Sequence, residues 1–318
     1  MSLARSSFVD LAERYLADRR ALGFALRIAG TRLLAFARFA DRRCPGPSLT
    51  LSVAVAWARA ARRPSALSWA RRLEVVRPFA RYLRQFDPAT EVPPVGLFGP
   101  AHRRLAPHVY TLGELHTLLG EARRLGPPEG LRPAAVATLL GLLACAGLRV
   151  SEALGLERED VDLDTGVLRV RETKFRKSRF VPLHASAVAA LCRYAAFRDR
   201  RAPRPSIPSF FLVDKDTALS YSKLRTAFRR LRIRLGWENH PVRRPRVHDL
   251  RHTFSCRRLL RWHQEGVDVE ARLFDLSTYL GHAKVTDTYW YLSGFPELLD
   301  LVARRFERFA SAQEGAHS

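Results

Sequence analysis

Residues 133–152 read PAAVATLLGLLACAGLRVSE, a long apolar run that ends at a glycine and is followed almost at once by an arginine. The run predicts a helix from about Pro133 to Gly147 that is buried on every side, because it has no polar face. Arg149 then stands where this helix ends and another begins. A buried arginine is costly unless an anion or a carboxylate meets it. A structural ion pair with Glu152 and an anion-binding role both account for Arg149 at this point.

Short extended segments and further helices follow the apolar helix. Two alternating segments, Gly166–Arg171 and Arg179–Leu183, flank the basic turn TKFRK and predict a β-hairpin. A third short strand is predicted at Ser209–Val213. Helical patterns cover residues 185–201, 221–235, 249–265, 268–280 and 296–309. The predicted fold class is therefore mainly α with a small β-sheet, an α+β protein.

The chain before the apolar helix predicts a separate helical domain. Apolar side chains recur at helical spacing through residues 8–43 and again from about 52 to 85, with a break near Pro64. Residues 87–107 concentrate Pro and Gly without periodicity, which is typical of a linker. We therefore predict two domains, residues 1–105 and 106–318. The sequence TLGE at 111–114 predicts a capping box that opens the first helix after the linker.

The charge of the chain favours a polyanionic partner. Lys and Arg number 54 against 31 acidic residues, which gives a net charge of +23. Residues 1–105 hold 19 Arg and 7 acidic residues, so the surplus is shared by both predicted domains. A GC-rich genome explains why Arg outnumbers Lys, but not why cations outnumber acids. Nucleic acid fits this charge best, and anionic membranes or ribosomal partners remain alternatives.

Cysteine usage and the N-terminus predict a cytoplasmic protein without a structural zinc. The four cysteines are far apart, with no CxxC pair and no histidine at zinc-finger spacing. Cys145 and Cys192 lie in apolar helical patterns, which predicts buried free thiols. The first residues lack the apolar centre of a signal peptide, and no apolar run reaches the ~18 residues of a membrane span. We expect no membrane partner and no cofactor.

Three further polar motifs follow the hairpin. In HDLRHT, His248 and Arg251 stand one helical turn apart near a helix N-terminus, where the helix dipole attracts anions. His252 in the same motif is interpreted as structural. LGH ends the next helix at His282, and Tyr291 follows nine residues later within TYWYL. A tyrosine in an aromatic cluster is usually part of a core, and Tyr289 fits that reading.

Taken in order, these motifs resemble the tyrosine recombinase family, also called the phage integrase family. The order is LRVSE, a hairpin with a lysine, HDLRHT, LGH, and a tyrosine nine residues beyond that histidine. The resemblance covers about residues 108–310, and residues 1–105 resemble the family's helical core-binding domain more loosely. It implies a catalytic domain that, together with the first domain, clamps duplex DNA from opposite faces.

The resemblance implies roles for the charged motif residues. Arg149 and Arg251 would grip the scissile phosphate, and the planar fork of Arg suits two phosphate oxygens at once. His248 and His282 would hydrogen-bond the phosphate and manage protons. Glu152 would orient the first arginine. This set would offset the charge of the five-coordinate transition state without a metal, and the sequence offers no cluster of Asp and Glu that would hold Mg²⁺.

The nucleophile and the general acid are also implied. Tyr291 would attack the phosphorus and form a covalent 3′-phosphotyrosine, which stores the bond energy so that no ATP is needed. Lys174 of the hairpin would donate a proton to the departing 5′-hydroxyl, with Lys177 as the competing candidate. The turn lacks the glycine that many members carry beside the lysine, and the interval between Arg251 and His282 is longer than is common in the family.

Three readings of the function remain after the motifs. The favoured one is a site-specific recombinase, a resolvase of the Xer type or a transposon recombinase, that acts as a homotetramer on two duplexes through a four-way junction. Sister recombinases could join it. The helix Phe295–Phe309 would dock on a neighbouring protomer or pack on its own domain. The alternatives are a type IB topoisomerase and a DNA-binding accessory protein whose site is not used.

Overall fold

The computed structural model describes residues 6–44, 48–102, 107–171, 178–240, 244–282 and 284–293, apart from the side chains of 290–293. Contacts between residues divide the chain into two compact units, Met1–Leu105 and Ala106–Ser318. The DNA-clamping role of the first unit stays a prediction.

The described part of the first unit is helical, as its periodicity predicts. Its helices are α1 (Phe8–Ala21), α2 (Arg27–Arg43), α3 (Leu51–Arg59) and α4 (Ala66–Leu83). The hydroxyls of Ser7, Thr50 and Ser65 accept hydrogen bonds from backbone amides and begin α1, α3 and α4. The predicted break near Pro64 is confirmed, since α3 ends before it and α4 begins after it. A core that includes Leu16, Leu33, Phe36, Trp57 and Phe79 joins the helices.

The second unit is built around the apolar helix. Its helices are α5 (Leu112–Arg123), α6 (Leu131–Ala146), α7 (Val150–Leu154), α8 (Ala185–Arg201), α9 (Tyr221–Arg234), α10 (Asp249–Gln264), α11 (Val269–Leu280) and α12 (Thr286–Ser293), with short 3₁₀ turns at Arg158–Asp160 and Trp237–Asn239. Helix α6 packs against α5, α8 and α10, and these contacts bury most of its apolar side chains. The predicted capping box is confirmed: Thr111 and Glu114 exchange side-chain and backbone hydrogen bonds at the start of α5.

Two small antiparallel sheets complete the second unit. Strands β1 (Val161–Asp162), β2 (Val167–Val170) and β3 (Arg179–Pro182) form the first, and β4 (Leu212–Asp214) and β5 (Thr217–Ala218) form the second. The predicted hairpin is confirmed in β2 and β3, where Leu168 pairs with Val181. Its turn, with Lys174 and Lys177, lies outside the described residues. The fold class, mainly α with a small β-sheet, is confirmed.

Some local predictions are wrong. The strand predicted at Ser209–Val213 begins only at Leu212, and Ser209 forms an isolated bridge with Glu157. Cys145 and Cys192 are exposed rather than buried, whereas Cys256 is buried. Helix α6 is apolar all round, so its sequence does not reveal that Cys145 lies on the side that faces solvent.

Two further expectations concern membrane-spanning helices and the C-terminal segment. No helix among the described residues has the length and apolar character needed to cross a membrane. The predicted helix Phe295–Phe309 lies outside the described residues, so its docking stays a prediction.

Candidate active site

Arg149 is placed by a sharp turn between α6 and α7. Gly147 ends α6 with a φ of 60°, in the left-handed region that favours glycine. A Cβ there would lie 2.4 Å from Cδ1 of Phe254, so the close packing also requires glycine. Leu148 is buried behind the turn. Arg149 then becomes the N-cap of α7, with its side chain only partly exposed.

Glu152 holds Arg149 in place. Its carboxylate accepts hydrogen bonds from the Arg149 backbone amide at 2.9 Å and from Nη1 of Arg149 at 2.7 Å. The predicted structural ion pair is therefore present, and it leaves other Arg149 donors available. Burial alone would raise the pKa of Glu152, but hydrogen bonds from Arg179 and from the Arg149 backbone outweigh burial and hold the pKa at about 2. The carboxylate consequently stays ionised at neutral pH.

Arg179 is a site residue that sequence reasoning missed. Its Nη1 and Nη2 donate to both oxygens of Glu152, at 3.1 and 2.9 Å, and its Nε donates to the carbonyl of Tyr279 at 2.9 Å. Strand β3 is thereby tied to α7 and α11. A signal existed: Arg179 and Val181 alternate with the exposed residues Phe180 and Pro182, so an arginine occupies a core-facing position of the strand.

Arg251 lies at the ends of two helices. It is 2% exposed, and its Nη1 and Nη2 donate to the carbonyls of Gly147 at 2.7 Å and Leu280 at 2.9 Å. Arg149 donates to the neighbouring carbonyl of Gly281 at 2.7 Å. The C-terminal carbonyls of α6 and α11 carry partial negative charge, which stabilises guanidinium groups. The two arginines predicted to act together are thus brought to the same pair of helix ends.

His282 follows Gly281 at the end of α11. Its Nδ1 lies 2.7 Å from the hydroxyl of Thr288, a fully buried residue of α12. Burial lowers the pKa of His282, and the charges of Arg251 and Arg149 lower it further, to about 4. The imidazole is therefore neutral at pH 7 in the free protein. Because the charges of Arg149 and Arg251 both lower the pKa of His282, the imidazole lies in the same cluster as the two arginines.

His248 stands at the N-terminus of α10, in position to join this cluster. Burial lowers the pKa of its imidazole, and the charges of Arg251 and Arg246 add to the effect. Its ring meets that of His252 edge to face, with centroids 4.8 Å apart. His252 is thus a packing partner of a candidate site residue.

Tyr291 lies on α12, three residues beyond Thr288. The bond between His282 and Thr288 therefore joins the cluster to the helix turn that precedes Tyr291, although the Tyr291 side chain lies outside the described residues. Tyr289 is 47% exposed, so its interpretation as a core residue is wrong. Lys174 and Lys177 also lie outside the described residues.

An open cavity of about 800 Å³ adjoins the cluster. Arg149 and His248 line one part of it. The remainder includes side chains from α9 and from the segment before α10, among them Arg225, Arg229, Arg232 and Arg246. A concave surface with this many guanidinium groups concentrates positive potential and suits a polyanion. Sequence reasoning missed this surface because it did not place the face of α9 that carries these arginines.

Comparison with known proteins decides the family. The model of the phage integrase family matches residues 111–297, more than half of the chain. The chain belongs to the phage integrase family. The prediction of a tyrosine recombinase is thereby confirmed: it is a site-specific recombinase, an enzyme that breaks and rejoins DNA.

Relatives match most of the chain. The protein y4rB of Sinorhizobium fredii, by name a candidate integrase/recombinase, is 39% identical over 95% of this chain and 98% of its own length. Tyrosine recombinase XerC of Chromobacterium violaceum is 28% identical over 80% of this chain and 75% of its own. The Tn1549 transposon integrase, solved with transposon right end DNA, has a similar fold, with a TM-score of 0.66, 17% identity, and coverage of 96% of this chain and all of that one.

Proposed function

We propose that this recombinase cleaves duplex DNA with Tyr291 while Arg149, Arg251, His248 and His282 hold the scissile phosphate. The observation that carries the proposal is the convergence of both arginines on the ends of α6 and α11, next to His282. No other role explains as directly why two guanidinium groups and two neutral imidazoles share one place. A phosphodiester supplies the negative charge that this arrangement lacks.

The arginines supply charge and the histidines supply hydrogen bonds. As the attacking oxygen approaches, the phosphorus becomes five-coordinate and negative charge builds on its non-bridging oxygens. Donors that are already in place stabilise that charge without reorganising. The bonds from Arg149 and Arg251 to backbone carbonyls hold them ready. Nδ1 of His282 is engaged with Thr288, so we assign Nε2 to the phosphate.

Tyr291 is the proposed nucleophile. Its phenolic oxygen bonds to the phosphorus, the bond from phosphorus to the 5′ oxygen breaks, and the phosphate stays on the enzyme as a 3′-phosphotyrosine. Nearby cations favour the phenolate, and the proton passes to one of the two histidines proposed to manage protons, His248 or His282. The departing 5′ oxygen takes a proton from Lys174, with Lys177 as the alternative donor. Rejoining is the reverse reaction with a 5′-hydroxyl from the exchanged strand.

The arginines of α9 are proposed to bind the DNA backbone beside the cleaved bond. Arg225, Arg229 and Arg232 line the cavity that also exposes Arg149. Phosphate contacts fix the register of a protein on DNA and make binding strongly dependent on salt. The net charge of +23 supports the same substrate. Because the proposed substrate is DNA, we also propose that the protein acts in the cytoplasm.

The proposed assembly is a tetramer that exchanges strands through a four-way junction, with the segment Phe295–Phe309 docking between protomers. A second relative from Sinorhizobium fredii, y4rE, is 40% identical over 93% of this chain, so one organism holds two such proteins. That pairing supports joint action with sister recombinases. Transposition and resolution are both reactions that such an assembly could carry out. The family match favours recombination over a type IB topoisomerase, and the intact motif set argues against an accessory protein with an unused site.

Mapping the covalent bond tests the residue assignment. A DNA duplex with a nick beside the cleavage position loses a short fragment after attack, which traps the covalent complex. Proteolysis and fragment-ion mass spectrometry should then place the nucleotide adduct on Tyr291. An adduct on Tyr289, or a 5′-linked adduct, would overturn the assignment.

A further inference from the structure

Three side chains with metal-ligating atoms meet beside α5. His108, Glu114 and His240 each offer one ligand atom, and these atoms all lie within 4.8 Å of one another. Nε2 of His108 is 3.2 Å from Oε1 of Glu114. Two ligands of a tetrahedral zinc ion, at bond lengths of about 2.0–2.1 Å, lie roughly 3.4 Å apart. The histidine–glutamate pair already has this spacing, and His240 would need to move by about 1.4 Å at most.

Two of the ring nitrogens in this group are buried and unsatisfied. His108 is 8% exposed, and neither its Nε2 nor Nδ1 of His240 has a hydrogen-bond partner among the described residues. The 3.2 Å separation of Nε2 of His108 and Oε1 of Glu114 places two potential ligand atoms side by side without a hydrogen bond between them. Buried polar atoms without partners are rare because each costs free energy. An ion bound through Nε2 of His108 and Nδ1 of His240 would satisfy both nitrogens.

The remaining ligand is held by its own hydrogen bond. Oε2 of Glu114 accepts from the backbone amide of Thr111 at 2.7 Å, within the capping box of α5. Oε1 is left to face His108. Such a contact fixes the orientation of a ligating carboxylate, as the partners of known metal ligands do. The capping box thereby presents one oxygen to the two imidazoles.

We propose that His108, Glu114 and His240 bind a divalent transition-metal ion, with zinc as the best fit. Two imidazoles and one carboxylate suit zinc, with water as the fourth ligand. Magnesium is disfavoured, because it prefers oxygen ligands in octahedral geometry. None of the three residues belongs to the phosphate-binding cluster.

The ion would join segments that are distant in sequence. His108 precedes α5, and His240 follows the 3₁₀ turn at Trp237–Asn239. Between His108 and α5, Tyr110 donates from its hydroxyl to the carbonyl of Arg246 at 2.9 Å, and its amide donates to Thr253 at 3.0 Å. The metal would therefore stabilise the corner from which α10 starts. A water in the fourth position is typical of catalytic zinc sites, but these three residues lie outside the phosphate-binding cluster, so the expected effect of the ion is on stability and not on DNA cleavage.

Zinc titration of the full chain tests the site. Protein free of any histidine tag is stripped with a chelator, dialysed and titrated with zinc chloride by calorimetry. We expect one zinc per chain and an increase in Tm of about 5–10 °C at 100 times the Kd. Glu114→Gln and His240→Ala should each weaken zinc binding about 100-fold or more. Mutating only a hydrogen-bond partner of a metal ligand already costs about 10-fold to 100-fold in affinity, and loss of the ligand itself should cost more. His116→Ala, on the exposed side of α5, is the matched control and should bind normally.

X-ray absorption of the zinc-loaded wild-type protein does not depend on any variant folding. The first shell should contain only nitrogen and oxygen, with the scattering of two imidazoles. Sulfur in that shell would assign the zinc to cysteine and overturn the proposal. The proposal would also be overturned if Glu114→Gln and His240→Ala bound zinc as tightly as the wild type. It would be overturned as well if the wild type did not bind one zinc per chain.

Discussion

Nδ1 of His282 and the hydroxyl of Thr288 lie 2.7 Å apart, which joins the end of α11 to the helix that carries Tyr291. The bond links a candidate phosphate ligand to the helical turn before the candidate nucleophile. Thr288 is fully buried, so water cannot replace its hydroxyl without a rearrangement.

Thr288→Val should uncouple these two elements. Valine keeps the shape of threonine and removes the hydroxyl, so a part-buried nitrogen of His282 loses this partner at a cost of up to about 3 kcal/mol. We expect single-turnover cleavage to slow by about 10-fold to 100-fold while DNA affinity stays nearly unchanged. Thr286→Val, at an exposed position of the same helix, is the control. Equal cleavage by the two variants would show that the bond does not position α12.

The two arginines should differ in what their loss costs. Arg149→Ala and Arg251→Ala should each slow cleavage by on the order of 100-fold or more, since each removes a transition-state donor. Arg251 is buried at two helix ends whereas Arg149 is partly exposed, so only Arg251→Ala should lower Tm strongly. Rates and melting curves measured on the same samples check this. A cleavage rate close to wild type in a folded Arg149→Ala protein would remove that residue from the site.

Acid should destabilise the protein through the site histidines. The pKa of His282 is lowered to about 4, and that of His248 is lowered as well, so the unfolded chain takes up protons first as the pH falls. The free energy of unfolding should therefore decrease between about pH 6.5 and pH 4. Denaturant melts give the free energy of unfolding of the wild type and of His282→Gln at each pH. The difference between the two proteins is the contribution of His282. A difference that does not change over this range would contradict the lowered pKa.

Cleavage should not require a metal ion. In the proposed site Arg149 and Arg251 offset the charge of the phosphate while His248 and His282 supply hydrogen bonds, so the rate at 25 °C should be the same in excess EDTA. The proposed zinc site predicts a lower Tm in EDTA. Cleavage rates measured well below that Tm therefore report on catalysis and not on stability. If EDTA abolished cleavage and added Mg²⁺ restored it, the proposed metal-independent mechanism would be wrong.

Local sequence signals predicted the elements of the second unit well. The bounds of α8 match the prediction because its apolar spacing is regular, and the capping box at Thr111 and Glu114 depends only on residues three apart. The ion pair of Arg149 and Glu152 is local in the same way. Such features need no knowledge of how distant segments pack.

Contacts between distant segments could not be predicted in this way. Arg179 meets Glu152 and Tyr279 only after β3, α7 and α11 have packed together. The bond from Thr288 to His282 depends on the turn at Gly281, and the cavity arginines depend on which face α9 exposes. The neighbouring carbonyl anchors of Arg149 and Arg251, on Gly281 and Leu280, likewise appear only when α6 and α11 end side by side.

The covalent complex on a nicked suicide duplex tests the central claim most directly. Wild type, Tyr291→Phe and Tyr289→Phe are incubated with labelled DNA and resolved on a denaturing gel, with binding checked on a native gel. We expect all three proteins to bind DNA, and only Tyr291→Phe to lose the covalent band. A band that survives in Tyr291→Phe and disappears in Tyr289→Phe would contradict the account and move the nucleophile to Tyr289.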